Sequence, residues 1–314
     1  MAGVCTRADI PDRGDSSTSN ALNGIDAFSP TDMWTVGYSQ AVDAASRSLA
    51  VRYDGAAWRI VGTPSPAGSR GNILYSVAYL GPAEAIAVGS YQPTASVLDL
   101  RPLAMRWNGS AWSLLSVPAV PGCTSLATLS DVTRAGTGTF MAGTCTDAAG
   151  EDVGFVLSRS AAGAWTVQVN PGDGVLPTPS DLASITFVPG SGVSAVGTSN
   201  TTLSVPDAAG ITIRFDGRTW RPLEVPQAGA RSTNLNAVAG IAPNAVWSVG
   251  DAIDRSAFER LTLYWNGRRY VRVEAGDERN SNSSLMGVAH DPAGFWWSVG
   301  YDSGDSVILR IAAR

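Results

Sequence analysis

Short apolar runs separated by polar turns follow one another along the whole chain. In the first copy of the pattern the runs cover residues 22–28, 33–38, 49–53 and 58–61, and turn residues such as Pro30 and Gly55 lie between them. Runs of this length, bounded by Gly, Pro, Asp and Ser, are typical of β-strands. The pattern therefore predicts four short antiparallel strands in each copy.

An apolar stretch that ends in glycine marks each of six copies. The closing glycines are Gly37, Gly89, Gly143, Gly197, Gly250 and Gly300, so the copies are 52, 54, 54, 53 and 50 residues apart. Sheets that cannot be stable alone stack best around a closed ring. The repeat predicts an all-β fold, a six-bladed β-propeller of four-stranded antiparallel blades in a single domain over residues 1–314. A linear β-solenoid is the alternative, but its repeats are normally shorter.

The first strands align on a leucine followed three residues later by another apolar residue. The aligned pairs are Leu22/Ile25, Leu74/Val77, Leu126/Leu129, Leu182/Ile185, Leu235/Val238 and Leu285/Val288. Between the third and fourth strands, Asp-Gly or Asn-Gly precedes an aromatic residue, as in Asp54, Gly55 and Trp58. Both turn positions tolerate positive φ, which predicts a two-residue type I′ hairpin.

Arginine recurs on the third strand of five blades, for example at Arg52 and Arg106. One ligand does not need the same contact in every blade, so we expect these arginines to be structural and to pair with turn acids such as Asp32 and Glu84. The hairpin tryptophans are interpreted as packing residues in the same way.

The last copy ends after three strands. At the other end of the chain, residues 3–10 match a fourth strand in their spacing to the first blade, because Pro11 precedes Leu22 much as Pro64 precedes Leu74. We therefore expect the N-terminal strand to complete blade six and close the ring, which hides both sheet edges.

The first copy reads Ser-Pro-Thr-Asp-Met-Trp-Thr-Val-Gly over residues 29–37 and Arg-Tyr-Asp-Gly over residues 52–55. This pattern resembles the β-propeller repeats of secreted actinobacterial proteins, which are grouped loosely with kelch-like and BNR-like propellers. The resemblance covers the whole chain and implies the fold, but no particular activity. The double glycine of true kelch repeats, the sialidase Asp-box spacing and the recurring Gly-His and Trp-Asp pair of WD40 repeats are missing.

Composition excludes several kinds of chemistry. All 22 basic residues are arginine, and His290 is the single histidine. Without lysine there is no Schiff base and no phosphate-loop lysine, and one histidine cannot form a multi-histidine metal centre. A net charge of −5 without a basic run argues against nucleic acid or an anionic membrane as partner. We expect neither a cofactor nor a metal.

The cysteines bear on where the protein functions. Cys123 and Cys145 should face each other across an antiparallel pair, because their midpoint lies in the turn 133–138, and a disulfide is predicted. Disulfides favour an oxidising compartment. The sequence has no apolar run long enough for a membrane span and no leader peptide, so we expect an extracellular or cell-surface protein whose leader lies outside this sequence. The alternative is a cytoplasmic protein with buried free thiols.

The loops between second and third strands are long and irregular, and in a propeller they share one face with the loops that link the blades. Variable loops on a rigid scaffold usually carry function, so the predicted site is the axial opening on this face. Aromatic rings, amides and a carboxylate there suit a sugar or another polar small molecule. The predicted ligand-binding residues are Tyr38, Tyr91, Asp251, Tyr301, Asn23, Asn236 and Tyr75. The alternative is a ring of ordinary strand ends around a water-filled channel.

Three functions compete. We expect a non-catalytic, monomeric, exported propeller that binds a carbohydrate or another polar small molecule, because no catalytic set of residues is evident. The first alternative is a cofactor-independent enzyme, such as a lyase, hydrolase or cyclase, in which tyrosines and aspartates of the opening act as acid and base. A raised pKa of Asp251 beside Tyr38 or Tyr301 would favour the enzyme. The second alternative is a protein-interaction platform with an exposed apolar patch.

Overall fold

The computed structural model describes residues 10–14, 18–42, 45–96, 99–200, 208–226, 232–254, 257–274, 282–291 and 294–311. These ranges contain β-strands and connecting turns but no helix, and hence no helix that could cross a membrane. The predicted fold class is confirmed: the chain is an all-β, six-bladed β-propeller. Contacts divide it into two compact units, residues 1–117 and 118–314. The single domain over residues 1–314 stays a prediction.

Unit one contains two four-stranded antiparallel sheets, in each of which the spatial order of the strands follows the chain. Blade one consists of β1 (Thr18–Ser29), β2 (Asp32–Ala41), β3 (Arg47–Tyr53) and β4 (Trp58–Val61). Blade two consists of β5 (Gly71–Gly81), β6 (Glu84–Gln92), β7 (Arg101–Trp107) and β8 (Trp112–Leu115).

Unit two contains the other four blades, with the same strand order. Blade three consists of β9 (Ser125–Ala135), β10 (Gly138–Thr146), β11 (Asp152–Arg159) and β12 (Trp165–Val169). Blade four consists of β13 (Ser180–Val188), β14 (Gly192–Asn200), β15 (Ala208–Phe215) and β16 (Trp220–Leu223). Blade five consists of β17 (Ser232–Ala242), β18 (Ala245–Asp254), β19 (Ala257–Trp265) and β20 (Tyr270–Arg272). Blade six consists of β21 (Ser283–His290), β22 (Trp296–Asp302) and β23 (Asp305–Ile311).

Blade six therefore has three strands among the described residues. Of the N-terminal segment 3–10 that we expect to complete it, only Ile10 belongs to the part that the structure describes. Closure of the ring by this segment stays a prediction.

The alignment of blade three is wrong in the sequence analysis. Leu129, not Leu126, lies opposite Gly143, as Leu182 lies opposite Gly197 in blade four. Leu129 is fully buried and is followed by buried Val132, whereas Leu126 has a φ of 47° beside a register shift. The error arose because the leucine precedes the glycine by 14 residues here and by 15 in the other blades.

The predicted type I′ hairpins are also wrong. Four residues, 54–57, separate the last pair of β3 and β4, and of Asp54 and Gly55 only the glycine has a positive φ, of 90°. Asp54 Oδ1 accepts hydrogen bonds from the backbone N–H groups of Ala56 at 3.0 Å and Ala57 at 2.9 Å. The aspartate or asparagine at this position therefore stabilises the turn by accepting backbone hydrogen bonds.

Packing within unit one confirms the structural interpretation of the tryptophans and arginines. Trp34 of blade one is fully buried and packs edge-on against Trp107 and Trp112 of blade two, with ring centroids 5.0 Å apart in both pairs. The Arg52 guanidinium lies over Trp34 and donates two hydrogen bonds to Asp32, at 2.9 and 3.0 Å. The hydrogen bond from Arg52 lowers the pKa of Asp32, and Arg106 likewise pairs with Glu84 at 2.7 Å.

In unit two the predicted disulfide between Cys123 and Cys145 is confirmed, with the two Cα atoms 5.6 Å apart. It joins the segment before β9 to β10, next to the register shift between Thr144 and Thr146. The bond therefore fixes the start of blade three where its first strand is least regular.

Candidate active site

The first and second strands of a blade approach each other so closely at the repeated glycine that no side chain fits there. In blade five, a Cβ at Gly250 would overlap the carbonyl oxygen of Asn234. A β-bulge at Asn236, the residue after the repeated leucine, accompanies this approach. Bulges re-aim neighbouring side chains and are common beside functional sites. The glycine is thus needed for strand packing, and it sets the residue after it opposite the residue before the leucine.

We call the two residues set opposite each other in this way a rim pair. In unit two all four rim pairs are polar. They are Thr128/Thr144, Asp181/Thr198, Asn234/Asp251 and Ser284/Tyr301, in blades three to six. In unit one the rim pairs are Ala21/Tyr38 and Ile73/Ser90. Rim pairs in which both residues are polar are therefore found in unit two.

Asp251 is the centre of a hydrogen-bond network between blades five and six. Its side chain is buried, with only 6% of the residue exposed. Its carboxyl oxygens accept hydrogen bonds from Ser284 Oγ at 2.7 Å, Asn234 Nδ2 at 2.7 Å and Asn236 Nδ2 at 3.4 Å. All three donors are neutral. The protein thus holds a buried acidic group in a fixed orientation without a cationic partner among these three contacts.

Asp181 of blade four has a different environment. Its carboxyl is partly buried, and burial raises its pKa. The backbone N–H of Thr198 donates to Oδ1 at 3.2 Å and acts in the opposite direction, whereas the negative charge of Asp152 raises the pKa further. A carboxyl group in such surroundings keeps its proton to higher pH than an ordinary aspartate.

The predicted residues in unit one make local contacts. Asn23 Nδ2 donates to the carbonyl of Leu74 at 2.8 Å, and the hydroxyls of Tyr75 and Ser90 are 3.2 Å apart. Tyr91 packs against the hydrophobic core of this unit, and Tyr38 lies at a rim pair opposite Ala21. These contacts give Asn23 and Tyr91 structural roles, and their part in ligand binding stays a prediction.

In unit two the structure brings Asn236 and Asp251 together, as described above. Asn236 Nδ2 also lies 3.0 Å from the carbonyl oxygen of Leu285, which repeats the contact of Asn23 in blade one. Tyr301 is 38% exposed and lies opposite Ser284, the hydroxyl donor to Asp251. Tyr301 is therefore one residue away from the Asp251 network.

Sequence reasoning missed Asp181, Asn234 and Ser284. All three precede the repeated leucine, a position that varies between blades as much as the position after the glycine. Comparing the blades at that position would have found them. The antiparallel register, which makes the two positions neighbours, was the missing information.

A large cavity of unit two lies at the other end of the blades. It measures about 850 Å³ and is bordered by Trp247, Tyr264, Trp296 and His290, near the hairpin residue Asn266. At the corresponding place in unit one, Trp112 of the fourth strand packs against Trp34. The cavity thus lies where blade six has no fourth strand among the described residues, and we do not assign the chemistry to it.

The described residues contain no cluster of three His, Cys, Asp or Glu side chains suited to a metal ion. The rim pairs of unit two offer two carboxyl groups in contrasting environments, one phenol, four aliphatic hydroxyls and one amide. Such a set can transfer protons and bind sugar hydroxyls.

No family model and no curated protein matches the sequence. Solved structures share its fold. A Trypanosoma rangeli sialidase solved with 2,3-difluorosialic acid is 10% identical, with a TM-score of 0.60 over 90% of this chain and 52% of the sialidase. An ulvan lyase, a polysaccharide lyase solved with a saccharide of glucuronic acid and 3-sulfated rhamnose, is 10% identical, with a TM-score of 0.61 over 97% of this chain and 82% of the lyase. A Hadza microbial sialidase is 11% identical, with a TM-score of 0.54 over 89% and 63% of the two chains.

At these identities the likeness shows the fold, a six-bladed propeller with sialidase structures among its neighbours. The chain spans about half the length of the first sialidase. The expectation of a non-catalytic binding module is nevertheless corrected, because the structural neighbours are carbohydrate-active enzymes. The enzyme alternative of the sequence analysis agrees better with them.

Proposed function

We propose that the protein is a cofactor-independent enzyme that cleaves a glycan at the rim pairs of unit two. The observation that carries the proposal is the contrast between Asp181 and Asp251 in neighbouring blades. Burial raises the pKa of Asp181, whereas Asp251 accepts hydrogen bonds from Ser284, Asn234 and Asn236. Two carboxyl groups in different environments are the usual requirement for glycosidic cleavage.

In this proposal Asp181 is the general acid. Its raised pKa keeps a proton available, which it gives to the oxygen of the leaving sugar as the glycosidic bond breaks. Asp251 takes a proton from the water whose oxygen bonds to the anomeric carbon. Ser284, Asn234 and Asn236 hold its carboxyl in the orientation that this transfer needs, which makes them positioning residues.

A lyase reaction is the second candidate, and the position of Tyr301 favours it. This tyrosine is partly exposed and lies opposite Ser284, beside the Asp251 network. In an elimination, a base removes the proton next to a uronic acid carboxyl and an acid protonates the leaving oxygen. The product then carries a carbon–carbon double bond, which hydrolysis does not create.

Incubation with neutral, uronic-acid-containing, sulfated and sialylated glycans tests the proposal. We expect new reducing ends from one of these classes, and ultraviolet absorbance of a new double bond only if the reaction is an elimination. Asp181→Asn and Asp251→Asn should each lower turnover by at least about 100-fold. Asp216→Asn is the matched control, because Asp216 lies in the hairpin of blade four and asparagine occupies the same position in blades two and five. A glycan that binds but is never cleaved would contradict the proposal.

The remaining expectations accompany this function. The Cys123–Cys145 disulfide supports export to an oxidising compartment, and the low charge supports a glycan rather than nucleic acid as partner. A monomeric state and a relationship to the actinobacterial, kelch-like repeat proteins also belong to the proposal.

A further inference from the structure

A polar cavity in unit one, distinct from the rim pairs, is lined by three arginines. It measures about 480 Å³, which is within the size range of small-ligand sites. Arg13, Arg47 and Arg70 contribute the charge. The other described lining residues are hydroxyl, amide, glycine, alanine and proline residues, and none of them has a carboxylate. We refer to it as the arginine cavity.

Among the residues that the structure describes, no carboxylate balances the charge of the arginine cavity. Of the arginines that the structure describes in unit one, four pair with carboxylates: Arg52 with Asp32, Arg59 with Asp54, Arg101 with Asp99 and Arg106 with Glu84. The remaining three all line this one cavity. Among the described residues none of them has a carboxylate partner. Guanidinium groups that have no carboxylate partner among the described residues are available to bind an anion.

The walls of the cavity are held by hydrogen bonds within blade one and to blade two. The Arg13 guanidinium donates to the carbonyl of Ser48 at 2.9 Å, and Thr63 Oγ1 bonds the same carbonyl at 2.9 Å. The backbone N–H of Asn72 donates to Ser46 at 2.9 Å. The bonds of Thr63 and Asn72 join the connection between β4 and β5 and the start of β5 to residues 46 and 48 at the start of β3, and the bond of Arg13 attaches the segment before β1 to the same place.

Arg47, the first residue of β3, and Arg70, at the end of the connection between β4 and β5, are both exposed. Guanidinium groups bind carboxylates and sulfate or phosphate oxygens with paired N–H donors, and hydroxyl groups such as those of Ser65 and Ser69 complete the coordination of an oxyanion. The glycines Gly68 and Gly71 also line the cavity, where they leave room for a ligand close to the backbone.

We infer that the arginine cavity binds an oxyanion carried by an acidic sugar, either a carboxylate or a sulfate ester. That the anion is part of a glycan rests on the proposed function, whereas the binding of an anion does not. The site would select acidic glycans over neutral ones.

Calorimetric titration tests this inference without measuring turnover. The probes are trigalacturonate, which carries carboxylates, a sulfated carrageenan tetrasaccharide, neutral maltotriose and inorganic sulfate. The test variant is the double substitution Arg47→Ala/Arg70→Ala. The control is Arg59→Ala in blade one, which removes the same charge per substitution. Because Arg47 and Arg70 have no ion pair among the described residues, the double variant should fold normally, which its melting temperature will show.

We expect wild type to bind trigalacturonate or the sulfated tetrasaccharide and not maltotriose, with an affinity that falls as salt is added. The double variant should lose roughly tenfold or more in affinity, and Arg59→Ala should bind like wild type. Comparing the two charged probes distinguishes a carboxylate from a sulfate ester. Equal binding by the double variant and Arg59→Ala, or no binding of any anion by wild type, would overturn the inference.

The enzyme proposal and the anion-site inference can be refuted independently. If the charged saccharides bind through Arg47 and Arg70 but no glycan is ever cleaved, the anion site stands and the enzyme proposal falls. If a glycan is cleaved and both arginines are dispensable for binding it, the enzyme proposal stands and the anion site falls. Binding of inorganic sulfate alone would refute the part of the inference that assigns the anion to a sugar.

Discussion

The Ser284 hydroxyl of blade six donates a 2.7 Å hydrogen bond to Asp251 of blade five, and both groups are almost completely buried. The bond joins two successive rim pairs and fixes a carboxyl group that has no cationic partner among its three hydrogen-bond donors. Two consequences follow. The network contributes to stability, because loss of Asn234 leaves Oδ2 without a donor and loss of Ser284 leaves Oδ1 with only the 3.4 Å contact to Asn236. It also holds the carboxyl in one orientation for chemistry.

Removal of this donor should destabilise the protein. Ser284→Ala leaves a buried carboxyl oxygen of Asp251 without its shortest hydroxyl contact, at a cost of about 1–3 kcal/mol in the free energy of unfolding. Chemical denaturation measures this cost. Ser306→Ala, an exposed serine on β23 of the same blade, is the control and should have little effect. Equal stability of the two variants would show that the network does not constrain Asp251.

Because the pKa of Asp181 is raised, this residue should make the folded protein less stable as the pH rises through the acidic range. A carboxyl group whose pKa is raised in the folded state stabilises the fold when it is protonated. This stabilisation is lost as the pH rises from the ordinary aspartate pKa of 3.8 through the raised pKa of the folded state. Asp181→Asn removes the loss, so its melting temperature relative to wild type should increase over this interval and then stay constant. Thermal melts across acidic to neutral pH measure the difference.

Asp216→Asn provides a control of opposite sign. Hydrogen bonds from the backbone N–H groups of Thr219 and Arg218 lower the pKa of Asp216, so its charged form stabilises the fold above the ordinary pKa and this contribution is lost as the pH falls. Relative to wild type, the melting temperature of Asp216→Asn should therefore decrease as the pH rises through the acidic range. The same trend in both variants would contradict the assignment of Asp181.

The disulfide should contribute to the stability of unit two. Cys123 and Cys145 are separated by 22 residues, and closing a loop of this size in the unfolded chain is worth about 3 kcal/mol. Cys123→Ser/Cys145→Ser should lower the free energy of unfolding by that amount, and a reducing agent should lower it in wild type only. The sequence has a third cysteine, Cys5, which lies outside the described residues. Cys5→Ser is therefore the control, and it should respond to the reducing agent as wild type does.

The fold was predictable because a repeat of six copies leaves few alternatives, and the leucine, glycine and hairpin positions identify the strands. The site was predictable only in part. Tyr301 and Asp251 follow the repeated glycine and were found, whereas Asp181 and Ser284 precede the repeated leucine and were missed. Whether Asp181 and Ser284 lie near the other site residues depends on a β-bulge and on the packing of one blade against the next. No single copy of the repeat encodes either feature. The pKa of Asp181 depends on burial, which a sequence does not display.

The central claim is that the protein cleaves a glycan with Asp181 as the acid, and the initial rate of cleavage by wild type and Asp181→Asn tests it most directly. The substrate is the glycan that wild type binds most tightly, and the assay counts new chain ends. We predict cleavage by wild type and by Asp216→Asn. For Asp181→Asn we predict a rate at least about 100-fold lower, at unchanged affinity. Recovery of the bound glycan intact from wild type, or equal rates for wild type and Asp181→Asn, would contradict the account.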